Sequence, residues 1–172
     1  MAFTIYQASI PVFQRRLLAL SAVIEKAAAF AEARRIEPTV LLNARLAPDM
    51  FPLVRQVQTA TDHAKGASAR LAGLEVPRFA DTESNFEELQ ARIAKILEFI
   101  DAIEPAALDG AEDRDVTLMI GGKERTMKGA FYLLNSAMPN FYFHVTTAYA
   151  ILRHNGVEVG KTDFMGAAPR PQ

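Results

Sequence analysis

Seven apolar residues between positions 10 and 31 set the first limit on what this chain can fold into. Ile10, Phe13, Leu17, Leu20, Ile24, Ala27 and Ala31 alternate steps of three and four, which lays them on one narrow stripe of an α-helix. Arg15, Arg16, Glu25, Lys26, Glu32 and Arg34 fall mostly off that stripe. A helix over residues 6–34 is predicted, with Pro11 near its start, where a missing donor costs little. The stripe ends after about four heptads, which marks a bundle helix rather than a coiled-coil arm.

The same spacing recurs downstream. Arg35-Ile36-Glu37-Pro38 ends the first helix, because the residue before proline disfavours the α region. A short helical turn is expected at Thr39–Leu42, and a second long helix over about 49–72, with Asp49 as candidate cap and Leu53, Val57, Ala60, Ala64 and Leu71 inward. That helix is rich in alanine, and Gly66 in its interior costs about 1 kcal/mol relative to alanine, so a close neighbour is expected there. Ser84 followed by Glu87 reads as a capping box for a third helix, whose Phe86, Leu89, Ile93, Ile96, Ile100 and Ile103 step by three and four until Pro105. Two alternating runs around Gly121-Gly122 predict a β-hairpin over 115–128, lying against the bundle. A fourth helix is expected over about 129–155, kinked or divided at Pro139 and closed by Gly156. The expected architecture is an all-α four-helix bundle with a small hairpin before the last helix, one domain over residues 1–165, and a flexible tail over 166–172.

Charge and composition narrow the partners. Lys and Arg number 19 against 20 Asp and Glu, so no net positive field exists to hold nucleic acid or an anionic membrane. The N-terminal residues lack the basic head and apolar run of a signal peptide, and no apolar run approaches the roughly 20 residues that span a bilayer; a soluble cytoplasmic protein is expected. Cysteine is absent, which removes thiolate nucleophiles and thiolate metal ligands together.

Chemistry is concentrated on the last helix. Asn140, His144, Thr147 and Ile151 step by four, three and four and lie within about a 60° arc. Asn140 and His144 stand one turn apart, the spacing at which two histidines would share a divalent metal. His154 lies near the same face but roughly 15 Å further along the axis, out of reach of any sphere centred on His144. A third ligand would have to come from another helix, and the remaining histidine is His63, about 100° from the centre of the second helix's apolar side. Each residue also has a simpler reading. His144, set among Phe141, Tyr142, Phe143 and Tyr149, is a hydrogen-bonded core histidine; His63 is a flanking surface residue; His154 is a cation at a helix C-terminus. Asn43 and Arg45 are polar residues in an apolar connection, able to line the mouth of a pocket.

The helix order, the hairpin before the last helix, and the run Asn140-x-x-x-His144 followed by Ile-Leu-Arg-His-Asn-Gly156 resemble the DinB/YfiT-like helical-bundle superfamily. Three segments resemble more closely a bacterial family of unknown function within it: Tyr-Gln-Ala-Ser-Ile-Pro-Val-Phe at 6–13, Leu-Leu-Asn-Ala-Arg-Leu-Ala-Pro-Asp-Met-Phe-Pro-Leu at 41–53, and Pro-Asn-Phe-Tyr-Phe-His-Val-Thr-Thr-Ala-Tyr at 139–149. The resemblance implies a metalloenzyme relative with three histidine ligands, one on the second helix and two on the fourth. His144 matches the last of these. Asn140 stands where the middle one belongs, and the second-helix ligand falls near Thr59, a turn before His63. The metal set is therefore expected to be degenerate, with no cofactor.

Three functional expectations follow. The first is a self-associating bundle protein, a homodimer, with a groove near His144 and a ligand pocket drawn from Asn140, His144, Asn43, Arg45 and Tyr149. The second is a metal-dependent enzyme, thiol transferase-like or hydrolase-like, holding zinc or nickel through His144, His63 and Asn140, with Asp62 as a further candidate ligand. The third is a binding module for a small apolar ligand. Whether the chain catalyses anything is left open by its residues.

Overall fold

In the computed structural model, residues 3–166 are described; from residue 167 onward the expected tail lies outside the described residues. Helix α1 spans Ile5–Arg34. Thr4 caps it: its hydroxyl accepts from Gln7 N at 3.2 Å and the Gln7 side chain accepts from Thr4 N at 3.1 Å, satisfying two otherwise orphaned donors. The helix closes on Arg35, whose φ of 54° makes it a left-handed cap without glycine. α2 (Pro38–Leu42) is the short turn expected beneath the connection.

Helix α3 (Leu53–Ala72) begins four residues later than Asp49 suggested, with Pro52 at its cap position and no side-chain cap. Pro48 and Pro52 bracket a turn that holds residues 48–50 out of the helix. In α4 (Phe86–Asp101) the cap is Asn85 rather than Ser84, its side chain accepting from Glu88 N at 2.8 Å. Glu88 reaches back to Ser84, so both residues of the shifted pair still serve the helix entry.

Strands β1 (Asp115–Ile120) and β2 (Lys123–Lys128) pair antiparallel, with Asp115 opposite Lys128 and Ile120 opposite Lys123. Gly121 and Gly122 take φ of 59° and 76°, the positive angles a two-residue hairpin turn needs. Only the root of this hairpin lies on the bundle: Val116 is buried, whereas Met119 and Ile120 at the tip are exposed.

The last long helix is divided, as Pro139 led us to expect, but the division precedes the proline. α5 (Gly129–Tyr132) runs into a π turn at Leu133–Ala137 and then into α6 (Met138–His154). Proline has no N–H for the carbonyl four residues back and its ring crowds that carbonyl; the wider turn relieves both problems without breaking the helix. A short helix not foreseen from sequence, α7 (Lys161–Met165), folds back onto α1.

Helix α3 packs chiefly on α6 and α4, and α1 completes the bundle against α4 and α6. Phe13 and Phe141, both fully buried, meet edge-on with ring centroids 4.9 Å apart, a geometry that contributes about 1 kcal/mol beyond area burial. Two glycines stand at close approaches, and backbone makes the first of them obligatory. At Gly129 a Cβ would overlap the carbonyl oxygen of Ala111, while its own N–H donates to Arg114 O at 2.8 Å. At Gly66 the neighbour is not a facing helix, as alanine richness suggested, but the guanidinium of Arg70, 2.5 Å from where a Cβ would sit. Among the described residues no helix is long and apolar enough to cross a membrane.

Candidate functional site

His144 is 9% exposed and faces α3. Its Nδ1 lies 2.7 Å from Gln56 Oε1. Gln56, itself buried, donates through Nε2 to Phe51 O at 3.1 Å, so its oxygen is the end turned to the histidine. The network thus assigns the proton to Nδ1 of His144, which donates, and leaves Nε2 carrying a lone pair. Nε2 has no hydrogen-bond partner among the described residues, and it is not one of the buried unpartnered side-chain atoms, which are Arg15 Nε, Arg16 Nε and Ser68 Oγ. It therefore keeps contact with solvent.

Around this imidazole stand three rings. His63 is nearly parallel to it at 12°, with centroids 5.6 Å apart; Phe51 lies at 6.4 Å and 18°; Phe143 meets it edge-on at 5.2 Å. Phe51 and Phe143 are about half exposed. Burial pushes the His144 pKa down to about 4, helped by His63 and by Arg55. Burial also lowers His63, against the opposing pull of Asp62 and with the support of Arg70. The pair is thus uncharged near neutrality, an acceptor surface rather than a cationic one.

The sequence-derived candidates are distributed unevenly about this centre. His63, expected on a flank, is half-buried against His144, because the side of α3 about 100° from its apolar centre is the side turned to α6. Thr59 donates to its own helix at Arg55 O. Asn140 is exposed and donates to Ser136 O at 2.7 Å. Asn43 is exposed and donates to Thr39 O; Arg45 is exposed and donates to Met50 O, next to Phe51. Tyr149 packs edge-on against Phe164 of α7. His154 is exposed in the last turn of α6.

Sequence reasoning missed Gln56 and Arg92. Both lie on apolar stripes, Gln56 between Leu53 and Ala60 and Arg92 between Leu89 and Ile96, and a polar residue at such a position is the signal that would have found them. Arg92 is buried between α3, α4 and the 73–85 connection. It donates to Thr61 Oγ1 at 2.7 Å and pairs with Asp62, Asp81 and Glu83 at 3.0 Å each. Lys65 also holds Asp62, Arg55 holds Asp81, and Gln58 holds Glu83. This network ties down the connection and, through Asp62, the backbone next to His63.

The three-histidine metal set implied by the resemblance is not supported by these residues. Among the described residues no three His, Asp or Glu side chains come together in a metal-holding group. The donors beside His144 are one further imidazole and a carboxamide whose oxygen is already engaged. Carboxamides are weak partners for zinc or nickel, so the residues present do not fit such an ion.

Comparison with known proteins agrees with this architecture. The chain is similar to the crystal structure of a DinB family member protein from Shewanella denitrificans, with 41% sequence identity and a TM-score of 0.90 over 97% of this chain and 94% of that one. No curated protein matches it. A family model described as a domain of unknown function (DUF1993) matches residues 5–165, and the chain accordingly belongs to the DUF1993 family, with a DinB-like fold.

Proposed function

We propose that this protein binds a small, largely apolar molecule bearing a hydrogen-bond donor, seated against His144, and that it works as a homodimer. The observation carrying the ligand reading is the relay Phe51 O, Gln56, His144. It locks one tautomer and leaves a neutral Nε2 lone pair at the edge of two half-exposed phenyl rings. A hydroxyl or thiol donates to Nε2 while its apolar body covers Phe51 and Phe143. In this reading Asn140, one turn before His144, and Arg45, hydrogen-bonded next to Phe51, serve as the outer rim, and Asn43 and Tyr149 take no part.

Phenol serves as the probe. Titrated at pH 7.5, it is expected to shift the His144 and His63 ring resonances saturably, and His144→Phe is expected to abolish the effect. Resonances that stay still to the solubility limit of phenol would remove the reading. The metalloenzyme alternative is tested separately by elemental analysis of untagged protein, where stoichiometric zinc or nickel would restore it.

The dimer reading is supported by Phe131, Leu134 and Phe143, all more than half exposed on α5, the π turn and α6, an apolar row of the kind that marks interfaces. Sedimentation velocity tests it: the wild type is expected to sediment as a dimer at micromolar concentration and Leu134→Ser as a monomer. A wild-type monomer would end it. A cytoplasmic location is part of the same proposal, and fractionation of the source cells checks it.

A further inference from the structure

Arg70 takes no part in the relay that holds His144. It sits two turns after His63 on α3, and long side chains on a helix lean toward its N-terminus. Its guanidinium accordingly lies back over Gly66, occupying the space a Cβ would need. That places the charge about one turn from His63. Nη1 donates to Tyr132 Oη at 3.3 Å, and among the described residues Arg70 joins no ion pair. Arg55 and Arg92, by contrast, are each paired with carboxylates. Tyr132 is buried and, because it accepts from Arg70, keeps its own O–H free to donate.

The side of α3 that faces the α5–α6 run therefore carries donors toward its C-terminal half, Arg70 and Tyr132, and a lone-pair acceptor toward its N-terminal half, His144 Nε2. A neutral ligand would leave the cationic end unanswered. We infer that the ligand of this site is a small carboxylic acid, its carboxylate held by Arg70 and Tyr132 and its hydroxyl or thiol donating to His144. Gly66 makes room for this arrangement: a Cβ there would sit 2.5 Å from Arg70 Nη1 and push the guanidinium aside. The inference rests on the ligand reading above and adds the charge and chemical class of the molecule.

Two probes of one shape test it: 4-hydroxybenzoate and its uncharged counterpart 4-hydroxybenzamide, titrated against wild type, Arg70→Gln, Arg70→Lys and Gly66→Ala, with the His63, His144 and Tyr132 ring resonances as readout. Wild type is expected to bind the carboxylate about tenfold or more tightly than the amide, the effect of a charge-assisted hydrogen bond. Arg70→Gln brings the two to parity, Arg70→Lys retains part of the preference, and Gly66→Ala lowers it several-fold while the protein stays folded. A carboxylate that binds no more tightly than the amide in wild type overturns the inference and leaves the His144 reading standing. So does a preference that survives in both Arg70→Gln and Gly66→Ala. If Arg70→Gln does not fold, the lysine and Gly66 variants decide alone. Silence of His144 toward both probes overturns the inference together with the reading beneath it.

Discussion

Replacing Arg92 by methionine is the sharpest test of how the connection before α4 is held. The substitution keeps most of the side-chain volume and removes one charge from a buried cluster. Three carboxylates lose a partner, but not equally. Asp62 keeps Lys65 and its side chain is 38% exposed; Asp81 keeps Arg55 at 30% exposure. Solvent and a second cation screen both, so each loss is worth about 0.5 kcal/mol or less. Glu83 is different: its side chain is 11% exposed and its remaining partner is the neutral Gln58 amide. Leaving that charge uncompensated, and Thr61 Oγ1 without its donor, falls in the range for breaking a buried pair, about 3 kcal/mol in total. With a urea dependence of about 2 kcal/mol per molar, the denaturation midpoint followed by far-UV circular dichroism is expected to fall by about 1.5 M. Adding Glu83→Gln is expected to recover about 1–2 kcal/mol, since it removes the stranded charge. A midpoint for Arg92→Met within about 0.2 M of wild type would refute the reasoning, as would a double variant no more stable than the single.

Gly129→Ala is expected to destabilise by about 3 kcal/mol, because the new Cβ meets the Ala111 backbone rather than a movable side chain; thermal melts check it, and an unchanged Tm would show that the hairpin root yields. Gln56→Leu strands the Nδ1–H of His144 in a buried position and is expected to cost about 1–3 kcal/mol in urea denaturation; a neutral result would mean that the imidazole turns to find water. The pH dependence has a definite sign. His144 has its folded pKa depressed from 6.5 to about 4, so its contribution is fully present above pH 6.5 and is lost as pH falls toward 4. The difference between those values corresponds to about 3 kcal/mol, and His144→Phe is expected to flatten the stability profile over that window. An imidazole titrating near pH 6.5 by NMR would contradict it.

The helices were legible because each long one buries a single stripe, and three-and-four spacing survives any detail of packing. Their entries were less legible: Asp49 and Ser84 both have capping chemistry, yet proline geometry at 48 and 52 and the competing pair Asn85–Glu88 decided the outcome. At the candidate site His144 could be singled out from its helix alone. What surrounds it could not, because Gln56 and His63 come from a helix about 80 residues earlier, and their meeting with His144 depends on which side of α3 faces α6. Arg70 was hidden for another reason. Its placement follows from an absence, the missing side chain of Gly66, which from sequence alone reads as a cost.

The π turn at Leu133–Ala137 has a consequence for how this site tolerates change in length. Relative to a regular α-helix it holds one extra residue, and one residue corresponds to about 100° of rotation. The helix therefore carries two phases, one set by the anchorage of Gly129 and Tyr132 at the hairpin and one that aims His144 at Gln56. Deleting Asn135 alone is expected to turn this stretch into regular α-helix and leave His144 aimed at Gln56, visible as a His144 resonance that keeps its low pKa, whereas deleting Asn140 from the regular part of α6 is expected to rotate the imidazole out of reach. A chain without Asn135 whose His144 titrated like a solvent-exposed imidazole would show that the π turn does not absorb the extra residue. The π turn is thus a place where one residue can be lost without turning the site, whereas the same loss within Met138–His144 would rotate the imidazole.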